Sequence, residues 1–277
     1  MNIFLGIDKS DYWFEPKTPL CYFEAYMRLP KEAFMDTDKF IDLLKSRRSI
    51  RAYKPDSVPD GFILKIIEAA RWAPSGGNSQ PWEFIVIKKK EIKDRIADLF
   101  VESTKPIRQA ELTREKELRV PALEGEVTEP GFKNAPVFIL LCGDPRVNEA
   151  FPLLVSQKNG PEILISNLAS AFLCMQLAAK SLGLGSQWVS ATGGIMEDLL
   201  KNLLDIPKEF KIYDMMAVGY PAYQLGPRSP RKMDEMTHYD RYDRSKLRTD
   251  QQIKDFIKNL RKKDREEKEG LKRGMKT

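Results

Sequence analysis

From Pro161 to Leu182 the chain reads PEILISNLASAFLCMQLAAKSL, with apolar side chains on almost every turn. A helix of that composition has no wide polar face to offer water and is expected to be largely buried. Gly183 stands where helices commonly end. The other strongly apolar run, Val137 to Cys142, lies between Pro136 and Pro145 and reads as a buried strand. Burying both demands a sizeable core, which 277 residues with 42% hydrophobic content supply. Ser166, Asn167, Ser170 and Gln176 break the helical run below the ~18 apolar residues that span a bilayer, so no membrane span is expected.

Composition narrows the chemistry. Asp8, Lys9 and Asp11 interrupt the N-terminal apolar stretch, so a secretory signal is not expected and the chain reads as cytoplasmic. Cys21, Cys142 and Cys174 are far apart, match no zinc or iron-sulfur spacing, and read as reduced thiols. With His238 as the single histidine, a serine-histidine triad or a histidine metal site lacks material, and no metal is expected. The net charge of +6 belongs to the tail: residues 241–277 hold fourteen Lys or Arg against seven Asp or Glu. Acids alternate with bases in RKKDREEKEG, which reads as a solvated, salt-bridge-laced helix rather than a nucleic-acid surface.

Residues 1–35 carry many aromatics and prolines without periodicity and read as an extended arm. Asp38 is a plausible cap for a helix bearing Phe40, Ile41, Leu43 and Leu44, which ends in the basic cluster RRSIR. A second helix opens at Pro59-Asp60 and stops near Ala73-Pro74. Phe84 to Ile87 reads as a strand, Glu91 to Val101 as a charged helix, and 102–131 as a polar, weakly patterned insertion. A strand near Ser186 to Val189, a helix from Ile195 to Leu203 and a strand from Met215 to Val218 complete a core about 36–225. Beyond it lies an arm, 226–277, with a charged helix from Asp250 to Glu269. Alternating helices and strands imply an α+β or α/β layered fold.

Arg47, Arg48, Ser49 and Arg51 place guanidinium forks and a hydroxyl within five residues. That is the equipment of a bidentate phosphate site, and equally of a basic helix end that complements the helix dipole. Pro74-Ser75-Gly76-Gly77-Asn78-Ser79-Gln80-Pro81-Trp82 presents backbone amides and polar side chains in a fixed loop. It reads either as a polar ligand-binding loop or as a tight connection under a packed tryptophan.

Together, Arg-Arg-Ser-x-Arg followed by Ala-Pro-Ser-x-x-Asn-x-Gln-Pro-Trp resembles the nitroreductase superfamily. The likeness continues through Leu182-Gly183-Leu184-Gly185-Ser186-Gln187-Trp188, Leu204-Asp205-Ile206-Pro207, Val218-Gly219-Tyr220-Pro221-Ala222 and Arg231-Lys232, and so covers roughly 38–235. The resemblance implies a three-layer α/β/α fold with a central, mostly antiparallel sheet and an intertwined homodimer. It implies FMN as cofactor and NADH or NADPH as electron donor. Arg47, Arg48, Ser49 and Arg51 would hold the FMN phosphate and ribityl chain, with Arg231 closing from the C-terminal side. Pro74, Ser75 and Asn78 would approach the isoalloxazine from the partner subunit. Gln187, Trp188, Val189 and Ser190 would border the ring and offer a backbone amide near N5, a contact that tunes the flavin.

The implied function is ping-pong reduction of a nitroaromatic, quinone or similar electron-poor acceptor. Reductive dehalogenation, flavin fragmentation and desaturation occur on the same fold, and a non-catalytic FMN-binding sensor or interaction module is the alternative of another class. The 102–131 insertion lies where relatives vary the cover over the active site. Its Arg108, Arg114, Lys116 and Arg119 read as a solvated charged face.

Overall fold

The computed structural model describes residues 36–190, 194–228 and 230–274, so the expected N-terminal arm lies outside the described residues. The chain divides into two compact units, 1–42 and 43–277. Of the first, 36–42 are described and open helix α1 (Thr37–Ser46). Its cap is Asp36 rather than Asp38: the Asp36 carboxylate accepts the Asp38 N–H at 2.9 Å, satisfying one donor of the first turn.

In the second unit, strands β1 (Trp82–Ile87), β2 (Val137–Gly143), β3 (Gly185–Val189) and β4 (Lys211–Gly219) form one sheet in the order β1-β2-β4-β3. All three pairings are antiparallel. Every residue of β2 is buried, which explains its unbroken apolar sequence. Its side chains alternate between two cores. Val137, Ile139 and Leu141 pack with Ile63 and Ile66 of α2 (Asp60–Arg71) and with Leu164, Leu168, Phe172 and Met175 of α4 (Leu153–Ser181). Phe138, Leu140 and Cys142 pack with Ile96 and Leu99 of α3 (Lys90–Leu112) and with Met196 and Leu200 of α5 (Ile195–Leu204). The result is the expected layering of helices, antiparallel sheet and helices.

Two helices differ most from their sequence-based bounds. Helix α4 starts at Leu153 and carries Pro161 inside it. Proline is favoured in a helix's first turn, so Pro161 resembled a start. The turns before it leave Leu153 and Leu154 exposed, so they show no core periodicity of their own. By length and composition α4 is apolar enough to cross a membrane, contrary to expectation. Its apolarity is used instead on the sheet, against which Leu168, Ala171, Phe172, Met175 and Ala179 are completely buried.

Helix α3 continues to Leu112, so about a third of the segment expected to be irregular is part of it. Buried polar groups hold the extension in place of an apolar stripe. Thr104 Oγ1 donates to the Phe100 carbonyl at 2.8 Å, and the Glu111 carboxylate accepts from Arg114 Nη1 at 3.0 Å and from the Val120 N–H. The final helix, α6, spans Asp250–Gly274.

Candidate functional site

The chain leaves α1 at Arg47 and runs along the outer edge of β3. Ser49 bridges Ser186, and the Ile50 N–H donates to the Ser186 carbonyl at 2.9 Å. Farther on, the Lys54 N–H donates to the Tyr220 carbonyl at 2.9 Å and the Ala222 N–H to the Ala52 carbonyl at 3.0 Å. Ile50 and Tyr53 are the buried hooks of this segment, while Ser49 and Arg51 are more exposed. The Tyr53 hydroxyl donates to the Ile50 carbonyl at 2.7 Å, and burial pushes its ionisation far above the ordinary tyrosine range. Gly185 makes the close approach possible: a Cβ there would stand 2.6 Å from Ile50 Cγ1. At Gly131 a Cβ would stand 2.9 Å from the Arg51 carbonyl oxygen, so the end of the 102–131 insertion lies against the same segment.

Three guanidinium groups converge beside this edge. Burial, then the charges of Arg228 and Arg48, hold Arg47 below the usual arginine range. The Arg48 side chain is 8% exposed; it donates to the Gly226 carbonyl and pairs with the Glu267 carboxylate at 2.5 Å. Arg228 lies 3.6 Å from Asp264. Arg48, Pro227, Arg228, Lys263 and Glu267 line a cleft of about 390 Å³. Glu267 and Asp264 neutralise part of this cationic cluster, which keeps a net excess of positive charge suited to an anion. Arg228 is absent from the residues expected from sequence; its signal is the basic, proline-spaced run Gly226-Pro227-Arg228. Arg231 turns to a neighbour in its own turn: Nη2 donates to the Glu235 carbonyl at 3.1 Å, and Nε lies 3.5 Å from the Glu235 carboxylate.

Strand β3 brings the remaining expected residues alongside. The Ser186 carbonyl points to the outer edge, where it accepts from Ile50. Alternation along the strand therefore turns the Trp188 N–H toward that edge too. The Trp188 ring packs inward, 4.5 Å from Phe172 between ring centroids, and its Nε1 donates to Asp214. Val189 is buried and Ser190 is exposed at the strand end. The Trp188 side chain thus packs inward while its backbone N–H faces the open edge, and Val189 pairs with Met215 of β4. Gln187 Oε1 is buried without a hydrogen-bond partner among the described residues.

The 74–80 loop is anchored to α4. The Gly76 N–H donates to Asn167 Oδ1 at 3.0 Å, Asn167 Nδ2 donates to Ser79 Oγ at 3.4 Å, and the Gln80 N–H donates to Ser75 Oγ at 3.1 Å. Gly77, Asn78 and Gln80 have φ of 57°, 52° and 45°. Left-handed backbone at two non-glycine positions stores strain of the kind that clusters at ligand-binding loops. Asn167 supplied a sequence signal, as a polar residue inside the most apolar helix, but its partner could not be read from one dimension.

These residues fit a phosphorylated, planar ligand: a cationic cluster for a dianion, a strand edge with an outward N–H for a ring, and a polar loop held rigid. His238, by contrast, stacks on Tyr242 at 4.2 Å in the C-terminal arm, and its Nδ1 accepts the Asp243 N–H at 3.1 Å.

The family model described as the Nitroreductase family matches residues 44–220. A putative NADH dehydrogenase/NAD(P)H nitroreductase of Archaeoglobus fulgidus is 27% identical over 185 residues, which is 66% of this chain and 86% of that protein. Iodotyrosine deiodinase 1 of Rattus norvegicus is 26% identical over 199 residues, 72% of this chain and 68% of its own length. Among solved structures, an FMN-dependent nitroreductase from Clostridium difficile superposes with a TM-score of 0.55 at 23% identity, covering 73% of this chain and 99% of that one.

Proposed function

The chain belongs to the nitroreductase family and is an FMN-dependent oxidoreductase, and we propose that it uses NADH or NADPH to reduce a nitroaromatic, quinone or similar electron-poor acceptor. The observation that carries this reading is the convergence of Arg47, Arg48 and Arg228 beside the outer edge of β3. In this reading Arg47, Arg48, Ser49 and Arg51 bind the phosphate and ribityl chain, with Arg228 and Arg231 contributing from the C-terminal arm. Gln187, Trp188, Val189 and Ser190 would border the ring, and a backbone N–H of that strand end would tune the flavin's electronics. When bound, FMN carries electrons between donor and acceptor. The protein's share is orientation, charge neutralisation and exclusion of water.

A homodimer with shared sites is part of the proposal. Leu64 of α2, Trp72 at its C-terminal cap, and Leu154, Ile165 and Leu173 of α4 are exposed apolar residues on two helices that pack together. A patch of this kind marks an interface, and a second copy there would bring its Pro74, Ser75 and Asn78 to the site. The reading also places the enzyme in the cytoplasm, supported by the free Cys142 and Cys174.

The test is an anaerobic absorbance titration of FMN-reconstituted protein with NADH and NADPH, then with a nitroaromatic, a quinone or an iodophenol. Bleaching by a nucleotide and recovery with a nitroaromatic or quinone is the expected result. Recovery with release of iodide would move the acceptor to the dehalogenase class that the deiodinase relative represents. A yellow protein that neither nucleotide bleaches would remove the NAD(P)H step, and a protein without FMN affinity would overturn the whole reading.

A further inference from the structure

We propose that the Glu267 carboxylate is a built-in substitute for the cofactor phosphate, so that FMN must displace it from Arg48 in order to bind. The inference rests on the FMN reading and adds to it a residue that sets cofactor affinity.

Helix α6 presents two different polar rails. Asp264 and Glu267, one turn apart, face the arginine cluster: Glu267 pairs with Arg48 at 2.5 Å, and Asp264 lies 3.6 Å from Arg228 and 3.1 Å from Arg261. The other rail is basic and holds the 113–124 segment. Lys254 and Lys258 reach Glu115 at 3.0 and 3.5 Å, Arg265 donates to the Lys116 carbonyl at 2.6 Å and to Glu124 at 3.0 Å, and Lys268 donates to the Pro121 carbonyl at 2.9 Å. The helix is therefore a strut between the cation cluster and the insertion expected to cover the site.

Arg48 has one Nη committed to the Gly226 carbonyl and the other to Glu267. A phosphate that takes Nη2 of this guanidinium competes with Glu267 for it, and the like charges of phosphate and carboxylate repel. The exchange replaces one negative charge by up to two among three arginines, which favours the phosphate. Breaking the carboxylate pair subtracts from the affinity that results. Since the same helix grips the 113–124 segment, cofactor loading also loosens one end of that strut.

The experiment measures FMN affinity by quenching of flavin fluorescence, at fixed ionic strength, for the full-length wild type, Glu267→Gln and Glu266→Gln. Glu266 is exposed and adjacent, so its substitution makes the same change in net charge away from Arg48. Glu267→Gln is expected to bind FMN about tenfold tighter, the size of one charged hydrogen bond, and Glu266→Gln to stay within about twofold of wild type. In the unmodified protein, hydrogen exchange along α6 is expected to speed up when FMN is added. Equal or weaker binding by Glu267→Gln, or slower exchange along α6 with FMN, overturns the inference while leaving the flavin reading intact. Absence of FMN binding in all three proteins overturns both.

Discussion

At position 185 a single methyl group would separate the arginine segment from the sheet, because the space a Cβ needs is filled by Ile50. Gly185→Ala is expected to destabilise the protein by about 1–3 kcal/mol, the usual cost of overpacking, and to weaken FMN binding as Arg47, Arg48 and Ser49 shift with Ile50. Chemical denaturation and flavin titration of one preparation read both effects. Tyr53→Phe removes the hydrogen bond to the Ile50 carbonyl without changing shape and is expected to cost about 1 kcal/mol in the same denaturation assay. Arg47, Arg48, Ser49 and Arg51 were legible in the sequence because their chemistry is carried by residue type within five positions. Arg228, Asn167 and Tyr223, whose hydroxyl accepts the Arg51 N–H at 3.3 Å, were not. Their partners lie many residues away, and only the folded sheet brings them together.

Element boundaries were legible where a stripe of apolar residues met the core and illegible where polar contacts held the chain. That distinction separates α5 and β2, which lie where expected, from the second half of α3. Between α5 and β4 an ionic lock adds to the packing: buried Glu197 accepts the Ile212 N–H at 3.2 Å and pairs with half-exposed Lys211 and with Lys201, the latter at 3.1 Å. Burial pushes the Glu197 carboxyl up, but Lys211, the Ile212 N–H and Lys201 outweigh it and leave it below the ordinary glutamate value. A carboxylate with a depressed folded pKa contributes stability above its unfolded pKa of about 4.3 and loses it as pH falls through the folded value. The acid limb of a stability-against-pH curve is therefore expected to be shallower in Glu197→Gln. That variant should also be about 1–2 kcal/mol less stable at pH 7, because Lys201 loses its partner while half-exposed Lys211 returns to water. An unchanged acid limb would show that the lock contributes nothing to acid unfolding.

Across the whole molecule the layered architecture was legible, since β2 and α4 are too apolar to lie anywhere but against one another and the rest of the core. The exposed face shared by α2 and α4 was less so, because exposed and buried leucines look alike in sequence. Leu173→Glu and Ile165→Glu place charges on that face without entering the core, the wild-type side chains being 45% and 52% exposed. Both are expected to shift the protein to monomer in sedimentation and to lower its flavin content; a monomeric wild type would refute the interface.

The strand order β1-β2-β4-β3 also bears on how the chain emerges from the ribosome. β2 finds its first neighbour early, but its second, β4, is not complete until Gly219. At roughly 5–20 residues per second, the nascent chain spends several seconds with its most apolar strand half-paired and α4 without a finished sheet to cover it. Translation speed and holding chaperones should therefore govern the yield of this protein more than its final stability does.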